Sequence, residues 1–453
     1  MEKLKSIFLL EDSESWFYII LFFLPFLAVS PWQPALFLPV PSGFLYSLLV
    51  VLAFISLMKE RKKRGEPLSR WHPLFSVLLI FLYVSILSLV FNWDLIRLHP
   101  AIKNAVGFKS PYVYNIFLVV YLAFNLLTLW LAFSIVDSRT KLKKAFQIFI
   151  ISSVLGCIYG LIVHFGGLFG IFKDPIITRW LVQRLHGTAS EAQVFGNFLL
   201  SCLPFAFVMF LVRKDIFKRD VFSVFLFLLS LTMFLTLSLG AWIGFAAGVG
   251  LAIVFCVNYI KFERVLGAFL ILLLILGIAF IIDHYMDPDY FQAIQMTLLK
   301  HTVEPVKLDT VNPPSGVDRS WLWSGALKMF WQHPIIGVGT GNFGFLYNYY
   351  RPEGTAAKHF LAKAHNAYLE ILAETGVIGF AVFSIFIATV LIRLGMTFYL
   401  SREEDERLFV AAISASLIGL LVHGLAFGIL VHNYTWIMLG LSIAATEIFK
   451  VKS

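Results

Sequence analysis

A histidine and an asparagine head a helix-like run, His365-Asn366-Ala367-Tyr368-Leu369-Glu370-Ile371-Leu372-Ala373-Glu374-Thr375-Gly376-Val377-Ile378-Gly379. A neutral imidazole can take a proton from a hydroxyl as a general base, and a reference pKa near ~6.5 suits that task. At a helix start, the free backbone N–H groups disfavour the imidazolium and keep the ring neutral. On spacing alone, a structural histidine bonded to a loop carbonyl is an equal reading of His365. Glu370 and Glu374 follow as an i,i+4 pair able to orient a cation or an acceptor, although Glu374 more readily partners a loop arginine or water.

Cations accompany this run in other segments. Arg179 precedes Arg184-Leu185-His186-Gly187-Thr188; Arg319, Arg351, Lys358 and Lys363 come before His365. A guanidinium is a planar, permanently charged fork matched to phosphate oxygens. Two or more of them at an interface suit a lipid diphosphate. Snorkelling to lipid headgroups is an equal reading for Arg179 and Arg351 and the lesser one for Arg184 and Arg319.

Two other motifs resemble sites and read better as structure. Gly337-Val338-Gly339-Thr340-Gly341-Asn342-Phe343-Gly344 follows Pro334-Ile335-Ile336. A nucleotide loop needs a strand before it and a helix opening after it, so a tight turn of close backbone approach is expected here. Asp283-His284 with Asp287-Pro288-Asp289 could offer oxygens to a divalent ion, but a proline turn at a span end explains them more simply. No metal or other cofactor is expected. Cys157, Cys202 and Cys256 sit singly in apolar runs and read as small packing residues.

The elements that must position these groups are membrane helices. The chain of 453 residues is 59% hydrophobic and only 14% charged, against about 25% charged in a soluble domain. Runs near the ~20 residues needed to cross a bilayer fall at approximately 16–31, 36–58, 72–93, 113–136, 146–167, 191–212, 221–239, 241–260, 265–282, 374–398, 408–427 and 429–448. The expected fold is therefore an all-α polytopic membrane protein with about twelve transmembrane helices, and the first run is expected to remain as an anchor. Lys59 to Arg70, Arg139 to Lys144, Arg213 to Arg219, Lys261, Arg264, Arg402 and Arg407 occupy alternate short loops. The positive-inside rule puts those loops and both termini in the cytoplasm. The net charge of +9 is thereby topology, not a nucleic-acid face.

The other side carries loops 94–112, 168–190 and 283–365. This divides the chain into spans 1–9 (1–282), a large extracytoplasmic loop or lid (283–365) and spans 10–12 (366–453). Within the lid, residues 318–331 predict a Trp-rich helix started by Asp318 or Ser320 and stopped at His333-Pro334, suited to the membrane interface. His164, His423, His432 and Asn433 are polar groups at lipid depth or its edge, where such residues tend to be functional. His432 and Asn433 fall in a short outer turn within reach of water. His164 is placed to line a cavity below Arg184.

The run 365–379, preceded by Pro334-Ile335-Ile336-Gly337-Val338-Gly339-x-Gly341-Asn342-Phe343, resembles the O-antigen ligase and O-antigen polymerase superfamily, polytopic proteins of the bacterial inner membrane. Arg184-x-x-Gly187-Thr188, entering the sixth span at Phe195-Gly196-Asn197, is similar to that family's segment after its fifth span. The resemblance covers roughly residues 180–385. It implies an inverting, metal-independent glycosyl transfer in lipopolysaccharide or polysaccharide biosynthesis, on the periplasmic face of the membrane. The donor would be a glycan on undecaprenyl diphosphate, and the acceptor a lipid A-core sugar for a ligase. A polymerase would use another lipid-linked unit, and a protein O-oligosaccharyltransferase a protein.

By position His365 matches the family's catalytic histidine, and Arg184 and Arg319 its diphosphate-binding arginines. Arg179, His186, Asn366, Glu370 and Arg351 are further candidates for substrate contact. Partners would be the lipid-linked donor, the glycan or lipid A-core acceptor and membrane lipids, with no nucleic acid. Two positions depart from the family pattern. Trp323 stands where ligases often carry leucine in Arg-x-x-x-Leu, and Ser238-Leu239-Gly240 replaces a common Ser-Arg-Gly. A transporter of lipid-linked glycans fits poorly, because it would need cations deep in its spans and these spans are nearly free of them.

Overall fold

The structure is a computed structural model. It describes residues 12–27, 34–35, 38–67, 70–98, 110–171, 184–189, 191–287, 289–299, 319–355 and 363–450. Apart from a two-stranded antiparallel ribbon, β1 (Pro34–Ala35) and β2 (Leu38–Pro41), the regular structure among them is helical. The first half of the chain gives α1 (Ser13–Leu27), α2 (Ser42–Arg64), α3 (Pro73–Phe91), α4 (Pro111–Ile135), α5 (Arg139–Leu168), α6 (Ala192–Leu200), α7 (Leu203–Leu211) and α8 (Arg219–Leu235). The second half gives α9 (Leu239–Cys256), α10 (Phe262–Tyr285), α11 (Tyr290–Leu299), α12 (Arg319–Gln332), α13 (Phe343–Tyr350), α14 (Ala367–Leu400), α15 (Glu404–His423) and α16 (Asn433–Ile448). Pro73 and Pro111 start their helices where the missing N–H is not needed.

Each of the twelve apolar runs carries a helix, but fewer than twelve are long and apolar enough to cross a membrane. Among the described residues eight helices are, or nine if the bent pair α6–α7 is one span. The remaining three runs are shorter helices: α1 has 15 residues, α8 has 17 and α16 has 16. The run expected as one span over 191–212 breaks at Ser201-Cys202 with a 41° bend. Pro204, in the first turn of α7, has no N–H to continue the hydrogen-bond ladder from α6.

The helices pack through small residues. α9 lies along α15 so closely that a Cβ on Gly248 would meet the Ala415 carbonyl oxygen at 2.1 Å, and one on Gly244 the Gly419 oxygen at 2.5 Å. Such contacts let backbones approach where no hydrophobic force draws helices together. At one end of the bundle the basic loops are paired with acids. Arg139 meets Glu406, Lys214 meets Asp405 and Glu404, and the buried Arg264 makes a two-pronged contact with Asp215. The candidate functional residues gather at the other end.

There α14 is interrupted. Gly376 has φ 64° and ψ −167°, outside helical values. The break frees backbone groups that a bilayer cannot solvate, and residues 334–339 pair with them. The N–H of Val338 donates to Ala373 O (2.9 Å) and that of Gly339 to Glu374 O (3.0 Å). In return Val377 N–H donates to Pro334 O (2.8 Å) and Ile378 N–H to Ile335 O (3.3 Å). Ser88 Oγ reaches Glu374 O at 2.6 Å, and Asn92 Nδ2 donates to Gly337 O at 3.1 Å, so the end of α3 clamps the same seam. Leu322, Ala326, Met329, Val338, Phe343, Leu346, Tyr347, Ala364 and Ala373 form a small second core that joins α12, α13 and the glycine turn to the head of α14.

An L-residue at 376 would adopt backbone angles that cost about 1–3 kcal/mol. Its Cβ would also lie 2.3 Å from the Ile335 carbonyl oxygen. Gly376→Ala is therefore expected to lower the thermal unfolding midpoint in detergent by several degrees. A midpoint equal to wild type would mean that the seam does not constrain this position.

Candidate active site

The head of α14 is fixed by its own cap. Asn366 Oδ1 accepts from the N–H groups of Tyr368 and Leu369, both at 3.1 Å, as an N-cap asparagine does. The Ala367 N–H donates to Gly424 O (2.8 Å) and is also near Phe427 O (3.2 Å), which ties this end to the turn after α15. Just before the cap, His365 has a φ of 48°. For a residue with a side chain this left-handed conformation is uncommon and requires support from its surroundings.

Glu370 supplies support from one turn inside the helix. Its Oε2 accepts from Ala364 N–H at 3.1 Å, and its Oε1 lies 3.8 Å from Lys363 Nζ. Lys363, Glu370, Glu374, Tyr114, Gly341 and Phe343 enclose a small cavity of about 10 Å³, roughly the room of one water. Burial works against the Lys363 charge, but Tyr114, Glu370 and Glu374 outweigh it and hold the ammonium above its ordinary value. Glu374 Oε1 also accepts from Phe343 N–H at 3.2 Å, a carboxylate at the start of α13. The partners of Glu374 are thus a helix N-terminus and Lys363, whereas the sequence reading favoured a loop arginine or water.

Arg184 lies across the end of α8. Nε donates to Thr236 O (2.9 Å) and Nη2 to Leu237 O (3.0 Å), satisfying carbonyls that the helix terminus leaves open. Three of the five guanidinium N–H groups remain for other partners. Burial lowers the Arg184 pKa to about 10; Glu191 opposes the shift and the nearby Arg319 charge adds to it. Arg319, the first residue of α12, is likewise lowered by burial. No carboxylate among the described residues forms an ion pair with either arginine within 4 Å. Two largely desolvated guanidinium groups without ion-pair partners among the described residues are suited to receive an anion.

Between these elements stands His423, at the end of α15 and 2% exposed. Its Nδ1 lies 2.5 Å from Asn197 Nδ2, and the Tyr434 hydroxyl donates to Asn197 Oδ1 at 2.6 Å. The His423 ring stacks on Phe427, Phe427 on His432, and His432 on Tyr434, with centroids 5.0–5.3 Å apart. Arg319 is near enough for its charge to act on His423. A Cβ on Gly240 would touch the ring, and Gly424 holds Ala367, two residues from His365. His423 thereby joins α6, α9 and α15, and through the Asn197–Tyr434 bond α16. The sequence marked it only as a polar group at depth; its partner Asn197 lies 226 positions away.

The other candidates have local roles. His186 is buried, with Nδ1 3.0 Å from Ala189 O. Thr188 Oγ1 donates to Pro25 O, so the 184–189 turn is fastened to α1. His164 is 2% exposed and lies one turn beyond Gly160, which abuts Gly187. Arg351 follows α13 at its far end, and among the described residues it makes no hydrogen bond or ion pair to Arg184 or Arg319. Arg179 and Asp318 lie outside the described residues. His432 and Asn433, expected within reach of water, are 6% and 1% exposed because the ring stack and α16 enclose them. Asp283 Oδ1 accepts from Phe291 N–H at 2.7 Å and so starts α11. Among the described residues, no group of three or more His, Cys, Asp or Glu is arranged to hold a metal.

A family model described as O-antigen ligase matches residues 224–384. The matched stretch contains Arg319, the glycine turn, His365 and the break in α14, and stops short of Arg184. No curated protein matches the chain.

Glu370→Ala would release Ala364 N–H and Lys363 together. Amide hydrogen exchange at residues 363–366 is expected to rise about tenfold or more while the core of α15 stays protected. Unchanged exchange there would show that Glu370 does not hold the His365 turn.

Proposed function

Since the chain belongs to the O-antigen ligase superfamily through residues 224–384, we propose that it is an inverting membrane glycosyltransferase of the ligase type. It moves a glycan from undecaprenyl diphosphate to a lipid A-core sugar on the periplasmic face of the bacterial inner membrane. The observation that carries this reading is the pair Arg184 and Arg319, close enough to influence each other, largely buried and without ion-paired carboxylates among the described residues. The paired basic loops lie at the opposite end of the bundle, which the positive-inside rule assigns to the cytoplasm.

In this mechanism the donor diphosphate lies against the two guanidinium groups. His365 takes the proton of the acceptor hydroxyl as its oxygen attacks the anomeric carbon from the face opposite the phosphate. The carbon–oxygen bond to phosphate breaks, the configuration inverts, and undecaprenyl diphosphate leaves with its new charge stabilised by Arg184 and Arg319. Preorganised donors aimed at developing charge are each worth roughly 10²–10³ in rate, and a general base about 10²–10⁴. The arginines supply the positive charge that the leaving group needs, so no divalent ion is required. Leu239 brings no cation to the start of α9, which leaves more of the electrostatic work to Arg184 and Arg319.

In detergent with EDTA, His365→Ala is expected to lose at least ~10² of transfer from a lipid-diphosphate donor while its unfolding midpoint stays near wild type. Full activity would remove His365 as the base. Arg319→Lys is expected to be nearly as poor, because an ammonium cannot reproduce a bidentate fork; wild-type turnover would reduce Arg319 to a lipid anchor. Mass spectrometry of surface glycans from a deletion strain tests the acceptor. Uncapped core with accumulated long lipid-linked chains is expected, whereas single repeat units would make the protein a polymerase.

A further inference from the structure

We propose that His423 is a third, uncharged ligand of the diphosphate, donating from Nε2–H beside the N-terminus of α9. The inference rests on the glycosyltransferase reading for the identity of the ligand, and on separate geometry for the site. Asn197 Oδ1 is occupied by the Tyr434 hydroxyl, so the same amide offers an N–H to His423 Nδ1. Nδ1 is then an acceptor, and the ring proton resides on Nε2. Nε2 has no hydrogen-bond partner among the described residues, in a side chain that is 98% removed from solvent.

The direction of that N–H follows from its neighbours. A Cβ placed on Gly240 would come within 2.6 Å of His423 Cδ2 and 2.9 Å of Nε2, so this edge of the ring faces the first turn of α9. Stacking on Phe427 prevents the ring from turning away. α9 is 18 residues long, and Ser238 at its N-cap position makes no side-chain capping hydrogen bond. Its first-turn N–H groups therefore have no side-chain acceptor, and a helix N-terminus in that condition favours an anion. Arg319 acts on the His423 ring through its charge, and Arg184 is bonded to Thr236 and Leu237, just before α9. The α9 N-terminus, the imidazole edge and the Arg184 guanidinium are thus gathered around residues 236–240, within reach of the Arg319 charge. A neutral histidine beside two arginines adds a donor without adding like-charge repulsion.

The test uses full-length protein in detergent and farnesyl diphosphate as the probe. Glutamine places an N–H near the position of Nε2, whereas asparagine reaches only to that of Nδ1. His423→Asn is expected to weaken farnesyl diphosphate binding roughly tenfold or more and to lower kcat with little change in the acceptor KM. His423→Gln should bind within about threefold of wild type, and Arg319→Ala should bind poorly. In wild-type protein carrying 15N-histidine, the Nε2 resonance that is lost in His423→Gln should shift when farnesyl diphosphate is added. That measurement holds even if His423→Asn does not fold.

Wild-type affinity in His423→Asn, equal weakening in both His423 variants, or a static Nε2 resonance while the probe binds would overturn the role of His423 and leave the arginine site intact. Failure of wild-type protein to bind farnesyl diphosphate would overturn the diphosphate reading itself, and His423's role with it.

Discussion

A helix broken inside a membrane bundle must have its freed backbone groups paired by other protein, because hydrocarbon offers no alternative. In this protein the break at Gly376 is paired by residues 334–339, and much of the end opposite the basic loops follows from that seam. It fixes the short glycine turn to α14 and places α13 where Glu374 meets its N-terminus. It also brings α12 onto the same small core, with Arg319 at its start. Ser88 and Asn92 extend the seam into α3, so the end of a conventional membrane helix carries part of the load. The head of α14, with His365 just before it, is then bounded by the seam on one side and the turn after α15 on the other.

Charge is distributed in two distinct ways at the two ends of the molecule. At the basic-loop end, arginines and lysines meet carboxylates, and most of those contacts are exposed and individually weak. At the other end Arg184 and Arg319 are largely buried, and among the described residues no carboxylate forms an ion pair with them. Arg184 spends two donors on the carbonyls that end α8, which orients its fork without neutralising it. Two acids at this end, Glu370 and Glu374, are committed to Lys363, to backbone N–H groups and to the start of α13. Glu191 acts on Arg184 through its charge without forming an ion pair with it.

The membrane class and the approximate position of each helix were legible in hydropathy, because a bilayer imposes a length and a composition. The span count was less so. α1, α8 and α16 are shorter than their apolar runs suggested; α8, for example, ends where Arg184 takes hold of Thr236 and Leu237. Hydropathy passes over the bend before Pro204 and the break at Gly376 because both lie within uniformly apolar sequence. The glycines at 337–341 were readable as a close-approach turn, but what they approach, residues 373 and 374, lies more than thirty positions away. The interest of Arg184, Arg319 and His365 was legible from residue type. The roles of Asn366 and Glu370 as cap and brace, and the pairing of His423 with Asn197, depend on tertiary contacts that spacing does not encode.

We propose that Arg184, Arg319 and His365 surround one anion-binding pocket at the end of the bundle opposite the basic loops. The most direct test is electron cryomicroscopy of the protein in lipid nanodiscs with a non-cleavable polyprenyl phosphonophosphate glycan. The expected result is diphosphate density bridging the two guanidinium groups, with the anomeric carbon on the side facing the His365 ring. Diphosphate bound away from both arginines, or a sugar held on the far side of the pocket from His365, would contradict it.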